Sequence, residues 1–218
     1  MFFTPDPRPL VTTLSNTLRQ WRWIALPFVV ALLNASLTFR NVWPTPGIAW
    51  TSNLSIELAV IVLGIAWAVR RFGPLRGATI QGLAVVWVLL VMGRYADVTA
   101  PAFYGREVNL YWDTRHLGAV VAMMAPSLPL WLLAGIAVGS VLALLLGHRA
   151  ARMALGFVAE TMHHAGVRRV LTTVAAVTCA LFVGQRVTGG AWEAVAFSTP
   201  VSESYARQVR LLATGGAN

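Results

Sequence analysis

One stretch of this sequence concentrates side chains able to do chemistry: Arg94 and Asp97, then Arg106, Asn109, Tyr111, Trp112, Asp113 and Arg115. Arginine grips phosphate as a planar fork. Arg94, Arg106 and Arg115 therefore suit an anionic phospholipid headgroup, with Asp97 and Asp113 orienting them and Asn109 among the polar lining. Tyr111 and Trp112 would pack against the glycerol region. Arg94 and Asp97 are three residues apart and share one helical face if the helix runs past Gly93. Pro101 and Gly105 are expected to break that helix, and Asn109 to Arg115 reads as an amphipathic segment returning to the membrane surface. The same residues also make an ordinary interfacial loop whose charges satisfy one another, and buried ion pairs are often structural. Glu57 is the one acid inside an apolar span, and an intramembrane carboxylate is by default a functional candidate. It lies one turn from the outer boundary, where it reaches water or meets Arg94.

Other chemistries find little support. His163 and His164 are adjacent, so on a helix they point to different faces, and no second ligand cluster accompanies them. A solvated pair beside an anionic leaflet is the simpler reading. Cys179 is the single cysteine; it sits in an apolar run, reads as a small hydrophobe, and excludes an internal disulfide. There is no phosphate-cradling glycine loop, nucleophile elbow, zinc-spaced His and Glu, or Cys pair. No catalytic residue, metal ligand or cofactor is assigned to these residues.

The elements that must position these side chains follow from composition. Of 218 residues 57% are apolar and only 11% are charged, against about 25% charge in soluble domains. Mean hydropathy is +0.65. Charges cluster between long uncharged runs, as expected of a chain surrounded mostly by bilayer. Five such runs stand out, Trp21–Phe39, Leu58–Val69, Gly77–Gly93, Ser127–Gly147 and Val170–Gly184. They predict an all-α, polytopic membrane helical bundle with about five transmembrane helices plus interfacial amphipathic helices. The second run is short and extends back through Ser55 and Glu57; the fifth is edged by Arg168, Arg169 and Arg186, whose stems can snorkel. His148 to Arg169 suits an amphipathic helix lying on the cytoplasmic surface.

All 17 basic residues are arginine, giving a net charge of +9. They lie between apolar spans and not on one polar face, which favours phospholipid over nucleic acid as partner. With the N-terminus in the cytoplasm, ten arginines fall inside with two acids, and seven fall outside with six acids. That asymmetry predicts N-in and C-out. Residues 1–20 are then cytoplasmic, 21–184 form the transmembrane domain, and 185–218 lie outside, with Ala206 to Leu212 an amphipathic surface helix. Gly135 and Gly139 form a small-xxx-small pair of the kind that lets helices approach.

Three segments carry a family resemblance: Asn34-Ala-Ser-Leu-Thr-Phe-Arg-Asn-Val-Trp-Pro-Thr-Pro46, Arg94-Tyr-Ala-Asp-Val-Thr-Ala-Pro101 and Gly105-Arg-Glu-Val-Asn-Leu-Tyr-Trp-Asp113. They are similar to the N-terminal membrane region of bacterial sulfatase-like hydrolases and transferases. Those proteins are membrane-anchored members of the alkaline phosphatase superfamily, akin to lipoteichoic acid synthases and phosphoethanolamine transferases. The resemblance reaches Phe197 to Tyr205 and implies about five helices in the bacterial inner membrane, ahead of a periplasmic catalytic domain. The chain stops at Asn218, where that domain would begin, so no nucleophile or divalent-metal ligand carries over. The implied function is an anchor or platform for an envelope-modifying phospho- or sulfo-ester transferase or hydrolase, with a periplasmic catalytic domain or other envelope proteins as partners. Two other functions fit the residues: a structural subunit of an envelope polysaccharide assembly or export complex, and a small transporter or channel using Glu57 and Asp97.

Overall fold

A computed structural model of the chain describes residues 8–43, 45–105, 109, 113, 115–116, 118–119, 122–123, 126, 128–188, 197–198 and 200–213. They are mostly helical. In order they form α1 (Arg8–Thr38), a two-stranded antiparallel ribbon β1 (Arg40–Asn41) and β2 (Ile48–Ala49), α2 (Ile56–Phe72), α3 (Gly77–Tyr104), α4 (Leu130–Thr161), α5 (Ala165–Val187) and α6 (Val201–Ala213). The helical parts of α3, α4 and α5 spanning Gly77–Ala102, Leu130–Thr161 and Ala165–Val187 are long and apolar enough to cross a membrane. They mark the chain as a membrane protein. The apolar part of α1, Trp23–Thr38, is shorter, and α2 has 17 residues, about 25 Å of rise.

Local chemistry explains the helix ends. Ser55 caps α2, its Oγ accepting the Leu58 N–H at 3.3 Å, as N-cap serines do. Glu57 in the first turn and Arg70 and Arg71 in the last complement the helix dipole. Gly73 ends α2 at φ 79°, a conformation glycine adopts without steric cost. Pro101 was expected to break α3, but the helix runs through it and stops at Gly105, φ 65°, whose N–H reaches Pro101 O at 3.0 Å. Proline removes one backbone hydrogen bond, and in the last turn almost nothing downstream depends on it.

The helices share one apolar core. Leu26, Leu33 and Leu37 of α1 belong to one buried cluster with Val62, Ile65 and Val69 of α2, Ile80, Ala84 and Trp87 of α3, and Leu155 and Val158 of α4. Helix α2 packs on α5, α3 on α4, and α1 on both α4 and α3. The second half of α4 corrects the expected surface helix at His148 to Arg169. Residues 148–161 continue α4 without interruption, and their apolar stripe, Ala151, Leu155, Val158 and Ala159, is buried. The stripe meets neighbouring helices and not headgroups. His163 and His164 lie exposed in the turn between α4 and α5. By contrast, the first half of α4 is almost bare: Leu130 and Trp131 are 82% and 74% exposed, and a Cβ built on Gly135 or Gly139 meets nothing within 4 Å.

Candidate functional site: a charged cluster under the C-terminal helix

The expected charged residues converge where the end of α1, the start of α2, the late part of α3 and the start of α6 meet. Arg94 projects from α3 toward the end of α1. Its Nε and Nη2 donate to Phe39 O at 3.1 and 2.9 Å. Phe39 directly follows α1, so the guanidinium sits against the carbonyl-rich, negative end of that helix. Asp97, one turn on along α3, and Glu57 of α2 both attract it electrostatically. Arg94 is 7% exposed and Glu57 8%. A charge enclosed at that depth persists when paired and hydrogen-bonded, and here both conditions are met.

Glu57 has two hydroxyl or amide partners from different elements. Its Oε2 accepts the Ser55 hydroxyl at 2.9 Å, and its Oε1 accepts the Ser202 N–H at 3.4 Å. The carboxylate thus lies at the N-terminus of α2 and also at that of α6, between two positive helix ends. Asn34 of α1 ties the same region to the preceding loop: its Nδ2 donates to Asn53 O at 2.8 Å and its Oδ1 accepts the Ser55 N–H at 2.9 Å. The Thr51 hydroxyl donates to Thr38 O, and Tyr95 Oη donates to Pro46 O at 3.3 Å. The ribbon between α1 and α2 is therefore fastened over the cluster from both sides.

Helix α6 closes the arrangement. Val201 is buried and Tyr205 half-buried against α3, where Tyr205 Oη donates to Leu89 O at 2.6 Å. The approach is close because α3 presents Gly93. A Cβ at that position would lie 2.7 Å from Val201 Cγ1 and 2.8 Å from Tyr205 Cε2 and Cζ. Before α6, Ser198 N–H donates to Leu54 O at 3.1 Å, Phe197 bridges Leu54 and stacks edge-on against Phe182 of α5, and Arg186 of α5 pairs with Glu203. Burial pushes the Tyr205 phenol pKa up, and the negative charge of Asp97 adds to the rise.

Glu57, Arg94 and Asp97 are thus brought together. Asn109 and Asp113 bond to each other: Asp113 Oδ2 accepts the Asn109 N–H at 2.9 Å and the Asp113 N–H reaches Asn109 O at 2.8 Å. Arg115 is exposed. Arg106, Tyr111 and Trp112 lie outside the described residues. Sequence reasoning assigned no role to Asn34, Ser55, Gly93, Ser202 or Tyr205 in this cluster. Only the adjacency of Gly93 to Arg94, at the end of an apolar run, hinted at a close approach there. Among the described residues no three of His, Cys, Asp and Glu come together as a metal group. Comparison of the chain with protein-family models, with curated proteins and with solved structures found no match.

Proposed function

We propose that the chain is a five-helix platform of the bacterial inner membrane, N-terminus in the cytoplasm, which holds its C-terminal segment fixed at the outer face. In this reading it serves a sulfatase-like transferase or hydrolase that modifies envelope lipids or glycans and whose catalytic domain lies outside these residues. The observation that carries the reading is the fastening of residues 197–198 and 201–205. Leu54, Glu57, Leu89, Gly93, Phe182 and Arg186, from α2, α3, α5 and the loop before α2, all engage that short stretch. A surface helix that only rested on headgroups would have no use for a glycine notch and a buried carboxylate beneath it. Alternation of α1 to α5 across the membrane, with Arg70, Arg71, Arg76, Arg168 and Arg169 at one end, agrees with that end facing the cytoplasm. Headgroups approaching the opposite end would meet the exposed Arg115 before Arg94, whose guanidinium is enclosed and bonded to Phe39 O.

Two measurements test this. In a Cys179→Ser background, Ala206→Cys should react with a membrane-impermeant maleimide added outside intact inner-membrane vesicles of right-side-out orientation. Labelling only after permeabilisation would overturn the orientation. Cells lacking the chain should lose a phospho- or sulfo-ester from an envelope lipid or glycan by mass spectrometry, and an unchanged ester profile would overturn the enzymatic role.

A further inference from the structure

At the opposite, arginine-rich end of the bundle, an open cavity of about 680 Å³ lies along α2 and α5, lined by Trp67, Arg70, Arg168, Arg169, Thr172 and Thr173 among others. The lining is graded along the helix axes. Arg70 lies in the last turn of α2, and Arg168 and Arg169 lie in the first turns of α5, so three cations rim the mouth. Leu63, Ala66 and the indole of Trp67 form the deeper wall on α2. Thr172 is half-buried on α5, its hydroxyl donating to Arg168 O at 2.6 Å, which leaves its methyl group as the available surface. Among the described residues no acidic side chain contributes to the lining.

The cationic rim is also partly preorganised. Arg168 Nη1 donates to Met162 O at 3.1 Å, which holds one guanidinium in place before any ligand arrives, while Arg70 and Arg169 remain exposed. The N-terminus of α5 adds its positive dipole end to the same mouth. A site with three planar phosphate-binding forks at its mouth, an indole below them and an aliphatic wall deeper still matches one class of molecule along its length. The match is a phosphodiester headgroup followed by a glycerol backbone and acyl chains. Free phosphate would use the rim and leave the apolar wall without a counterpart.

We propose that this cavity binds an anionic phospholipid, with the phosphodiester held by Arg70, Arg168 and Arg169 and the first acyl segments lying along Leu63, Ala66 and Trp67. The site is separate from the Arg94 cluster and does not depend on the platform reading. It requires only that the helices stand in a bilayer.

The test uses the full chain purified in a mild detergent and offered phosphatidylglycerol, phosphatidylcholine of the same acyl chains, or inorganic phosphate, with retained ligand counted by native mass spectrometry. Wild type should retain phosphatidylglycerol over phosphatidylcholine. The double variant Arg70→Gln with Arg169→Gln should lose about 30-fold of that retention, about 1 kcal/mol for each arginine removed. Arg76→Gln, at the same end but outside the cavity, should match wild type. Thr173→Phe keeps all three arginines and fills the apolar part, so it should lower retention as well. Each variant is first checked for a wild-type elution profile, and the two lesions act through different atoms, so misfolding of one leaves the other decisive. Unchanged retention in the folded variants overturns the proposal. So does an equal loss in Arg76→Gln, which would indicate bulk charge, or retention of inorganic phosphate without preference for phosphatidylglycerol.

Discussion

Replacing Gly93 by alanine should loosen helix α6 while leaving the transmembrane helices folded. The new Cβ would sit 2.7 Å from Val201 Cγ1 and 2.8 Å from two ring atoms of Tyr205, whereas carbon atoms rest at about 3.5–4.0 Å. The helix must therefore retreat by roughly 1 Å, since Val201 is 1% exposed and has no room to turn aside. Two bonds respond to that retreat. Tyr205 Oη to Leu89 O, now 2.6 Å, stretches beyond good geometry, and Ser202 N–H to Glu57 Oε1, already 3.4 Å, is lost. Overpacking of this kind costs about 1–3 kcal/mol, which corresponds to roughly a 5- to 150-fold rise in the undocked population of α6. Arg207 and Arg210 are exposed on α6, so trypsin cleavage after them in lipid nanodiscs reads that population when opening is fast relative to cleavage. Gly135→Ala, whose Cβ meets nothing within 4 Å, is the control and should cleave at the wild-type rate. If Gly93→Ala cleaves no faster than that control, the notch does not hold α6 and the reasoning fails.

Three further outcomes follow from the same cluster. Arg94→Gln should cost about 3–5 kcal/mol, because it removes the buried cation that attracts Asp97 and, more weakly, Glu57; Arg94→Gln combined with Asp97→Asn should cost less than the sum of the two. Additive losses in thermal unfolding would rule out that coupling. Asn34→Ala removes both the bond to Asn53 O and the acceptor for Ser55 N–H; a loss of about 1–3 kcal/mol in the same measurement is expected, and a melting temperature equal to wild type would contradict the clamp. Tyr205 gives a pH dependence. Its pKa is raised in the docked state by burial and then by Asp97, so docking favours the neutral phenol. Its contribution is complete below the ordinary tyrosine value of about 10 and disappears as pH rises through the higher docked value. Tryptic protection of α6 should fall in that alkaline window for wild type and stay flat there for Tyr205→Phe; identical profiles would refute the assignment.

How much could be read beforehand differs from element to element. The apolar runs predicted α2 to within about three residues and α5 to within about five, and the C-terminal end of α1, because an uncharged run fixes helix position almost independently of its neighbours; α1 itself begins at Arg8, well before its run. The convergence of Arg94, Asp97 and Glu57 was legible only in part. Spacing put Arg94 and Asp97 on one face, but Glu57 is 37 positions before Arg94, and no local pattern links them. Asn34 gave no signal either, since its partners Asn53 and Ser55 are 19 and 21 residues away. The misread segment was 148–161. An apolar stripe with arginine on the opposite face has the same period whether the stripe meets lipid headgroups or other helices.

The sequence by itself determined that this chain lives in a membrane and where most of its helices lie, because the cost of exposing charge and backbone to hydrocarbon acts residue by residue. It also determined the crowding of arginine at one end. Tertiary structure alone decided what the charged residues do. Arg94 meets the end of α1, Glu57 lies between the N-termini of α2 and α6, and Gly93 admits α6 onto α3. Those pairings depend on directions and distances between elements far apart in the chain. They are set by packing, which local composition does not encode.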